Sequence, residues 1–285
     1  ENVGELEIAW IYRSGELGAG FARRNALAFE ATPIHIGGSL YLSTPTNIVI
    51  ALDAASGRER WRYDPHIDRT VRYAEATSRG VSYWSAGDPH QSGPCSERLF
   101  EGTLDARLIA LDAHTGQPCA DFGRGGSVDL RADQRIRDPA DYLVTSPPAI
   151  YHEFVIVGLA IGDNRAVDVE RGVVRAYDAR TGALRWSWDP IPSTSSDPEF
   201  IEWNASAAAR TGGANAWSIM SIDPARGLVF VPTGSASPDF YGGERLGSNR
   251  HADSLVALNA TSGALVWQQQ LVHHDLWDYD VAAQP

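Results

Sequence analysis

An eleven-residue pattern occurs four times along this chain, and a repeat of that kind constrains the fold more than any composition can. Ala51-Leu-Asp-Ala-Ala-Ser-Gly57-Arg-Glu-Arg-Trp61 returns as Ala176-Tyr-Asp-Ala-Arg-Thr-Gly182-Ala-Leu-Arg-Trp186 and as Ala257-Leu-Asn-Ala-Thr-Ser-Gly263-Ala-Leu-Val-Trp267. A further copy, Ala110-Leu-Asp-Ala-His-Thr-Gly116, has Ala120 at the place of the tryptophan. The starts lie 59, 66 and 81 residues apart. Each copy reads as a strand, a tight turn and a second strand, because the glycine supplies the positive φ that such a turn needs. Two more short β runs precede the hairpins: Pro33 to Ile36 and Leu40 to Ser43, Ala149 to Tyr151 and Phe154 to Gly158, Trp217 to Ile222 and Leu228 to Pro232.

Four strands per unit, with no convincing amphipathic helix, predict an all-β chain built as a β-propeller of four-stranded blades. A sandwich is the competing architecture, but sandwiches rarely repeat one hairpin four times. Residues 1–285 are read as one domain. Trp61, Trp186 and Trp267 are expected to wedge neighbouring blades together. Trp10, in Leu6-Glu-Ile-Ala-Trp10, reads as the end of another such hairpin, from the blade that closes the ring.

The net charge of −12 over 285 residues argues against nucleic acid and anionic membrane surfaces as partners. All 24 basic residues are arginine, so this segment offers no Schiff-base lysine and no Walker-type phosphate loop. The longest apolar run, Phe154 to Ile161, falls far short of the ~20 residues of a membrane helix. No leader peptide is visible, and both ends lie inside globular-looking sequence, so the chain reads as a piece of something longer. Cys95 and Cys119, outside any CxxC or CxxCH, are read as a disulfide of an oxidising compartment, with two buried thiols as the alternative. Gly15-Glu-Leu-Gly18-Ala-Gly20 has the wrong spacing for a dinucleotide loop, and the sequons Asn204-Ala-Ser206 and Asn259-Ala-Thr261 are of a kind common by chance.

The repeats resemble the tryptophan-docking repeats of the quinoprotein dehydrogenases, which hold pyrroloquinoline quinone (PQQ) and a divalent metal in an eight-bladed propeller. Four stretches look like the membrane glucose dehydrogenase branch: Thr103 to Ala113, Val144-Thr-Ser-Pro-Pro148, Pro232-Thr-Gly-Ser-Ala-Ser-Pro-Asp239 and Val272-His-His-Asp-Leu-Trp-Asp-Tyr-Asp280. The resemblance implies that about four of eight blades are present, with the remaining blades as partners of this segment. It implies a dehydrogenase that oxidises a hydroxyl of a sugar, polyol or related alcohol and passes electrons to ubiquinone or a cytochrome c. The expected location is the periplasm, with membrane association through a part outside this sequence. A PQQ alcohol dehydrogenase is one alternative, and a non-catalytic scaffold of related repeats is the other.

Hydride transfer to a quinone needs a base for the hydroxyl, a cation on the carbonyl and a flat pocket with anion contacts. By resemblance, Asp278 is the catalytic base and Trp217 the floor beneath the quinone. Glu30, Arg79, Thr145 and Ser146 are cofactor contacts, the arginine suited to a bidentate grip on a carboxylate or quinone oxygen. The metal ligands expected are Asp163, Asn164, Ser235, Asp278 and Asp280, an oxygen set that suits Ca²⁺ or Mg²⁺, a lanthanide being less expected. Ser235 stands where alcohol dehydrogenases of the family place an asparagine, and Glu75-Ala76-Thr77-Ser78 stands where relatives place a vicinal disulfide or a histidine. His273, His274 and Asp275 are not expected to share one ion, because adjacent histidines seldom face the same point.

Overall fold

In every unit the third strand is buried almost throughout: Val49–Asp53, Arg107–Asp112, Val174–Asp178 and Ser254–Asn259. Burial on both faces of a strand requires a layer on each side, and the neighbouring sheets supply it. The computed structural model describes residues 2–16, 27–87, 93–192, 200, 202–203 and 205–285. The Gly18 and Gly20 positions of the glycine run and the Asn204 sequon lie outside the described residues.

Blade 1 comprises Ile34–Ile36, Ser39–Ser43, Val49–Asp53 and Glu59–Tyr63. Blade 2 comprises Ser82–Ser85, Glu97–Gly102, Arg107–Asp112 and Ser127–Asp129. Blade 3 is Ala149–Tyr151, Phe154–Val157, Val174–Asp178 and Leu184–Trp188, and blade 4 is Ser221–Asp223, Leu228–Pro232, Ser254–Asn259 and Leu265–Gln270. Strands follow one another across each sheet in sequence order, the arrangement of successive propeller blades. The apolar clusters lie between sheets: Tyr41, Val49 and Ala51 pack with Leu99, Ile109 and Leu111, while Ile156, Val174 and Ala176 pack with Val229, Val231 and Val256. The fold is a partial propeller.

The repeated turn is built the same way each time. The first-turn Asp or Asn accepts from the Ser or Thr three residues on: Asp53 Oδ1 from Ser56 N at 2.9 Å, Asp112 from Thr115 N at 2.8 Å, Asp178 from Thr181 N at 2.8 Å and Asn259 from Ser262 N at 3.0 Å. That Asx turn explains why the pattern carries exactly these residue types. Two of the three repeat tryptophans dock on the turn of the next blade, while Trp267, expected to do the same, is 41% exposed. Trp61 Nε1 donates to Ala113 O at 3.1 Å, and a Cβ on Gly116 (φ 71) would stand 2.4 Å from the Trp61 ring. Trp186 meets Ala260 and Gly263 in the same way, and so does Trp10 with Ala54 and Gly57. Trp10 itself is not in a strand, contrary to the expected hairpin.

The second copy departs from the predicted hairpin. After its turn the chain forms only an isolated bridge, Leu111 to Pro118, and the outer strand comes later, at Ser127–Asp129. With no tryptophan there, the intervening loop docks instead: Gly123 N donates to Thr181 O at 2.9 Å, and Gly182 lies against Gly123 and Val128. The Cys95–Cys119 disulfide fastens that loop to blade 2.

Candidate active site

Four extended segments lead into the first strands of the four blades, the first three joined by backbone bonds and the fourth by side-chain hydroxyls. Leu27–Phe29 pairs in parallel with Ala76–Ser78, in the register Phe29 to Ser78, which sets Glu30 beside Arg79. Thr32 N donates to Arg79 O at 3.1 Å, and Arg79 N donates to Thr145 O at 2.8 Å. Ser146 Oγ and Thr145 Oγ1 both donate to Trp217 O, at 2.6 and 3.2 Å. Trp217 Nε1 donates to Asp280 Oδ2 at 2.5 Å, and Ser218 Oγ to Ala282 O at 2.5 Å. Glu30, Arg79, Thr145, Trp217 and Asp280 thus form a ladder, one rung per unit. Trp217 belongs to the lead-in, since the strand predicted from Trp217 begins only at Ser221.

Beside the ladder lies a cleft of about 280 Å³ that Asp163, Asn164, Trp217, Asp278 and Asp280 line together with Glu75 and Asn215. Pairing of Tyr142–Leu143 with Ala160–Ile161 brings the Asp163 loop against the third lead-in. Of the expected cofactor contacts, Glu30, Arg79, Thr145 and Ser146 are not among the lining residues, and of the expected metal ligands Ser235 stands apart. Its amide donates to Asp280 Oδ1 at 2.6 Å, while its hydroxyl lies 2.9 Å from both Asp253 Oδ1 and Asp275 Oδ2. One hydroxyl proton cannot serve both carboxylates at once, and burial pushes the Asp253 carboxyl up to about 8. Thr145 and Ser146 give their hydroxyls to the Trp217 carbonyl, and so act first on Trp217.

Arg79 is the cation of the ladder. Its Nη2 meets Glu75 at 2.7 Å and Glu30 at 2.9 Å, its Cζ stands 4.8 Å from the Trp217 ring centroid, and its buried Nη1 has no hydrogen-bond partner. Asn215 Oδ1, in the cleft wall, is likewise buried and unpartnered. The orphaned Arg79 donor beside an indole face suits a flat cofactor that carries carboxylates and carbonyl oxygens, and the Asn215 oxygen is open to an N–H or O–H donor.

Carboxylates crowd the other side. Burial raises Asp163 well above the usual range, with the charges of Asp239, Asp280 and Asp278 adding to it. Burial and then the charges of Asp278 and Asp280 push Asp239 up to about 7, and both its oxygens are buried without a hydrogen-bond partner. Asp278 is raised by burial, then by Asp280 and Asp275, and its backbone holds a positive φ of 62°. The nearby buried cation, Arg245, bonds carbonyl and amide oxygens instead: Pro238 O, Asp239 O, Asp275 O and Asn249 Oδ1. Mutual repulsion among hard oxygen donors is what a divalent cation relieves, so the donor set fits Ca²⁺ or Mg²⁺. Among the described residues, Asp163, Asp278 and Asp280 do not bring three ligand atoms within 4.8 Å of one another; the trio that does is Cys95, Cys119 and Asp121, whose sulfurs are already bonded together. His274 Nδ1 meets Gly247 O at 2.8 Å, away from any shared ion with His273.

Sequence reasoning missed Glu75, Asn215 and Asp239 as site residues. Asn215 stands two residues before Trp217, and Asp239 closes a stretch already singled out, so both lay within sight of a signal. Glu75 lay in the segment marked as a departure.

The family profile described as "PQQ: Glucose/ethanol/alcohol dehydrogenase, beta-propeller domain" matches residues 1–285. The quinoprotein glucose dehydrogenase of Escherichia coli K12 is 37% identical over all of this chain and 36% of its own length. The quinate/shikimate dehydrogenase (quinone) of Acinetobacter baylyi is 35% identical over the whole chain and 36% of its own length. The quinohemoprotein alcohol dehydrogenase of Comamonas testosteroni superimposes with a TM-score of 0.75 at 28% identity, over 92% of this chain and 38% of that one. The chain thus spans about a third of the length of the curated relatives it matches.

Proposed function

The chain belongs to the β-propeller family of PQQ-dependent glucose, ethanol and alcohol dehydrogenases, and from that premise we propose that the complete protein oxidises a hydroxyl of a sugar, polyol or related alcohol. When bound, PQQ supplies the hydride acceptor and the metal polarises its carbonyl. The observation that carries this reading is the meeting, in one cleft, of Trp217, Asp163, Asp278 and Asp280.

This chain's residues divide the work. Asp278 takes the proton from the substrate hydroxyl, its raised affinity for a proton matching that task. The Trp217 face receives the cofactor ring, and its indole N–H holds Asp280 in place together with the Ser235 amide. The unused Arg79 Nη1 offers a charge-assisted donor to a carboxylate or quinone oxygen. Asp163, Asn164, Asp278 and Asp280 would hold the cation, with Ser235 behind them as a support. The oxygen donors support Ca²⁺ or Mg²⁺ as that cation. Ubiquinone or a cytochrome c is the proposed acceptor, and a periplasmic site is consistent with the disulfide.

The test is dye-linked turnover by the complete gene product with PQQ and Ca²⁺, on glucose, glycerol and a simple alcohol. Asp278→Asn should lower turnover by at least about a thousandfold while cofactor affinity stays within a few-fold. Wild-type turnover that needs no PQQ, or an Asp278→Asn enzyme with full turnover, would contradict the assignment.

A further inference from the structure

The loop that carries Asp278 is tied down at both ends. At its head the buried Arg245 guanidinium holds Asp275 O, and His274 N donates to Ser248 O at 2.9 Å. At its tail Asp280 accepts from Trp217 Nε1 and from the Ser235 amide. Between those anchors the backbone winds around one buried side chain. The Asp275 carboxyl accepts from Trp277 N at 3.2 Å through Oδ1 and from Tyr279 N at 2.9 Å through Oδ2. Those two amides stand on either side of Asp278. Among the described residues, residues 276–279 make no other backbone hydrogen bond. Asp278 itself holds a φ of 62°, a left-handed conformation that a non-glycine residue keeps only where its surroundings fix it. The side chains beside it do little of that fixing, since Trp277 is 70% and Tyr279 63% exposed.

From this arrangement we propose that Asp275 is a positioning residue for the reaction: its carboxyl clamps the peptide groups on both sides of Asp278 and so aims the Asp278 carboxylate at the substrate hydroxyl. The proposal rests on the reading of Asp278 as the base and adds the group that sets the base in place. Asp275 is not among the residues that line the cleft, so it acts through Asp278. Proton transfer is sensitive to such placing, because a displacement of about 1 Å costs about a hundredfold in rate. The cation and the cofactor have other holders, Asp163, Asn164 and Asp280 for the one, Arg79 and Trp217 for the other. A loosened clamp therefore falls on the chemical step more than on binding.

The experiment uses the complete protein with PQQ and saturating Ca²⁺, as wild type, Asp275→Asn, Asp275→Ala and Asp278→Asn. Turnover, on whichever of glucose, glycerol and a simple alcohol is oxidised fastest, is expressed per bound PQQ, so that a smaller active fraction does not count. PQQ affinity is read by tryptophan quenching, and urea unfolding is followed in parallel. Asparagine keeps the shape of Asp275 and one acceptor oxygen, whereas alanine keeps neither. Asp275→Asn should lower kcat about tenfold and Asp275→Ala about a hundredfold, with KM and PQQ affinity within about twofold of wild type. Full kcat per bound PQQ in both Asp275 variants, beside an inactive Asp278→Asn, overturns the proposal and spares the dehydrogenase reading. A loss of kcat joined to weaker PQQ binding, a higher KM and an earlier urea midpoint also overturns it, making Asp275 a support of the fold. A fully active Asp278→Asn overturns both, because the base itself is then misassigned.

Discussion

The rim of the propeller and the ladder at the mouths of its blades are held by opposite devices. At the rim one device is used repeatedly: an Asx turn presents a glycine, and a tryptophan from the preceding blade lies on it, as Trp61 does on Gly116 and Trp186 on Gly263. In the ladder every rung is different. A parallel pair joins the first two segments, a backbone bond the next, hydroxyls the third, and an indole-to-carboxylate bond the last. The rim repeats because its task, spacing one sheet from the next, is the same at each blade. The ladder varies because each rung must offer different chemistry to one cleft.

If that division is correct, damage to the rim should cost stability and leave the cleft's affinities alone. Trp61→Ala and Trp186→Ala should each destabilise this chain by about 3–5 kcal/mol in urea unfolding. Trp267 occupies the same repeat position, but it is 41% exposed where Trp186 is 8% exposed, and Trp267→Ala should cost under about 1 kcal/mol. Equal costs for the three would break the docking account.

A second contrast lies where the two regions meet. Glu101, on the second strand of blade 2, accepts from Asn47 Nδ2 at 2.7 Å and from Ser78 Oγ at 3.1 Å, while its other oxygen is buried without a partner. Burial pushes its carboxyl up to about 8, against an unfolded value of about 4.3. Between those values the native state binds the proton and the unfolded chain does not, so stability falls as pH rises through that window. Its slope is at most about 1.4 kcal/mol per pH unit. Denaturation series at pH 5, 6, 7 and 8 should show this slope in the wild type and a flatter profile in Glu101→Gln.

The smallest effect on stability should come from the ladder. Ser146→Ala removes one bond to the Trp217 carbonyl and should cost about 1 kcal/mol in unfolding. Its larger signature should be weaker PQQ binding in the complete protein, read by tryptophan quenching. A loss of stability alone would make Ser146 a rim-type residue.

The rim was legible in the sequence for a physical reason. A periodic task leaves a periodic trace, so the strands of blades 1, 3 and 4 and the docking tryptophans could be read from spacing. Where the task is met differently, spacing failed: Ala120 in place of the tryptophan and the paired Cys119 marked a departure, but not the loop through Gly123 that replaces the ring. The site residues occur once each, so their roles came through resemblance to a family. Which of them share a cleft depends on backbone bonds between segments far apart in sequence, such as Arg79 N to Thr145 O. Ser235 shows the limit. Its spacing from Trp217 matched a ligand, yet its hydroxyl faces Asp253 and Asp275. Glu75 had no motif to mark it, and only the cleft's lining reveals it.

The central claim is that the ladder assembles a PQQ site on the face of Trp217. Titration of PQQ with Ca²⁺ into the complete protein, followed by tryptophan emission, tests it most directly. Saturable quenching should be kept in Trp267→Phe and abolished in Trp217→Ala, with the affinity of Trp217→Ala at least about a hundredfold weaker. Binding by Trp217→Ala with wild-type affinity would contradict the account.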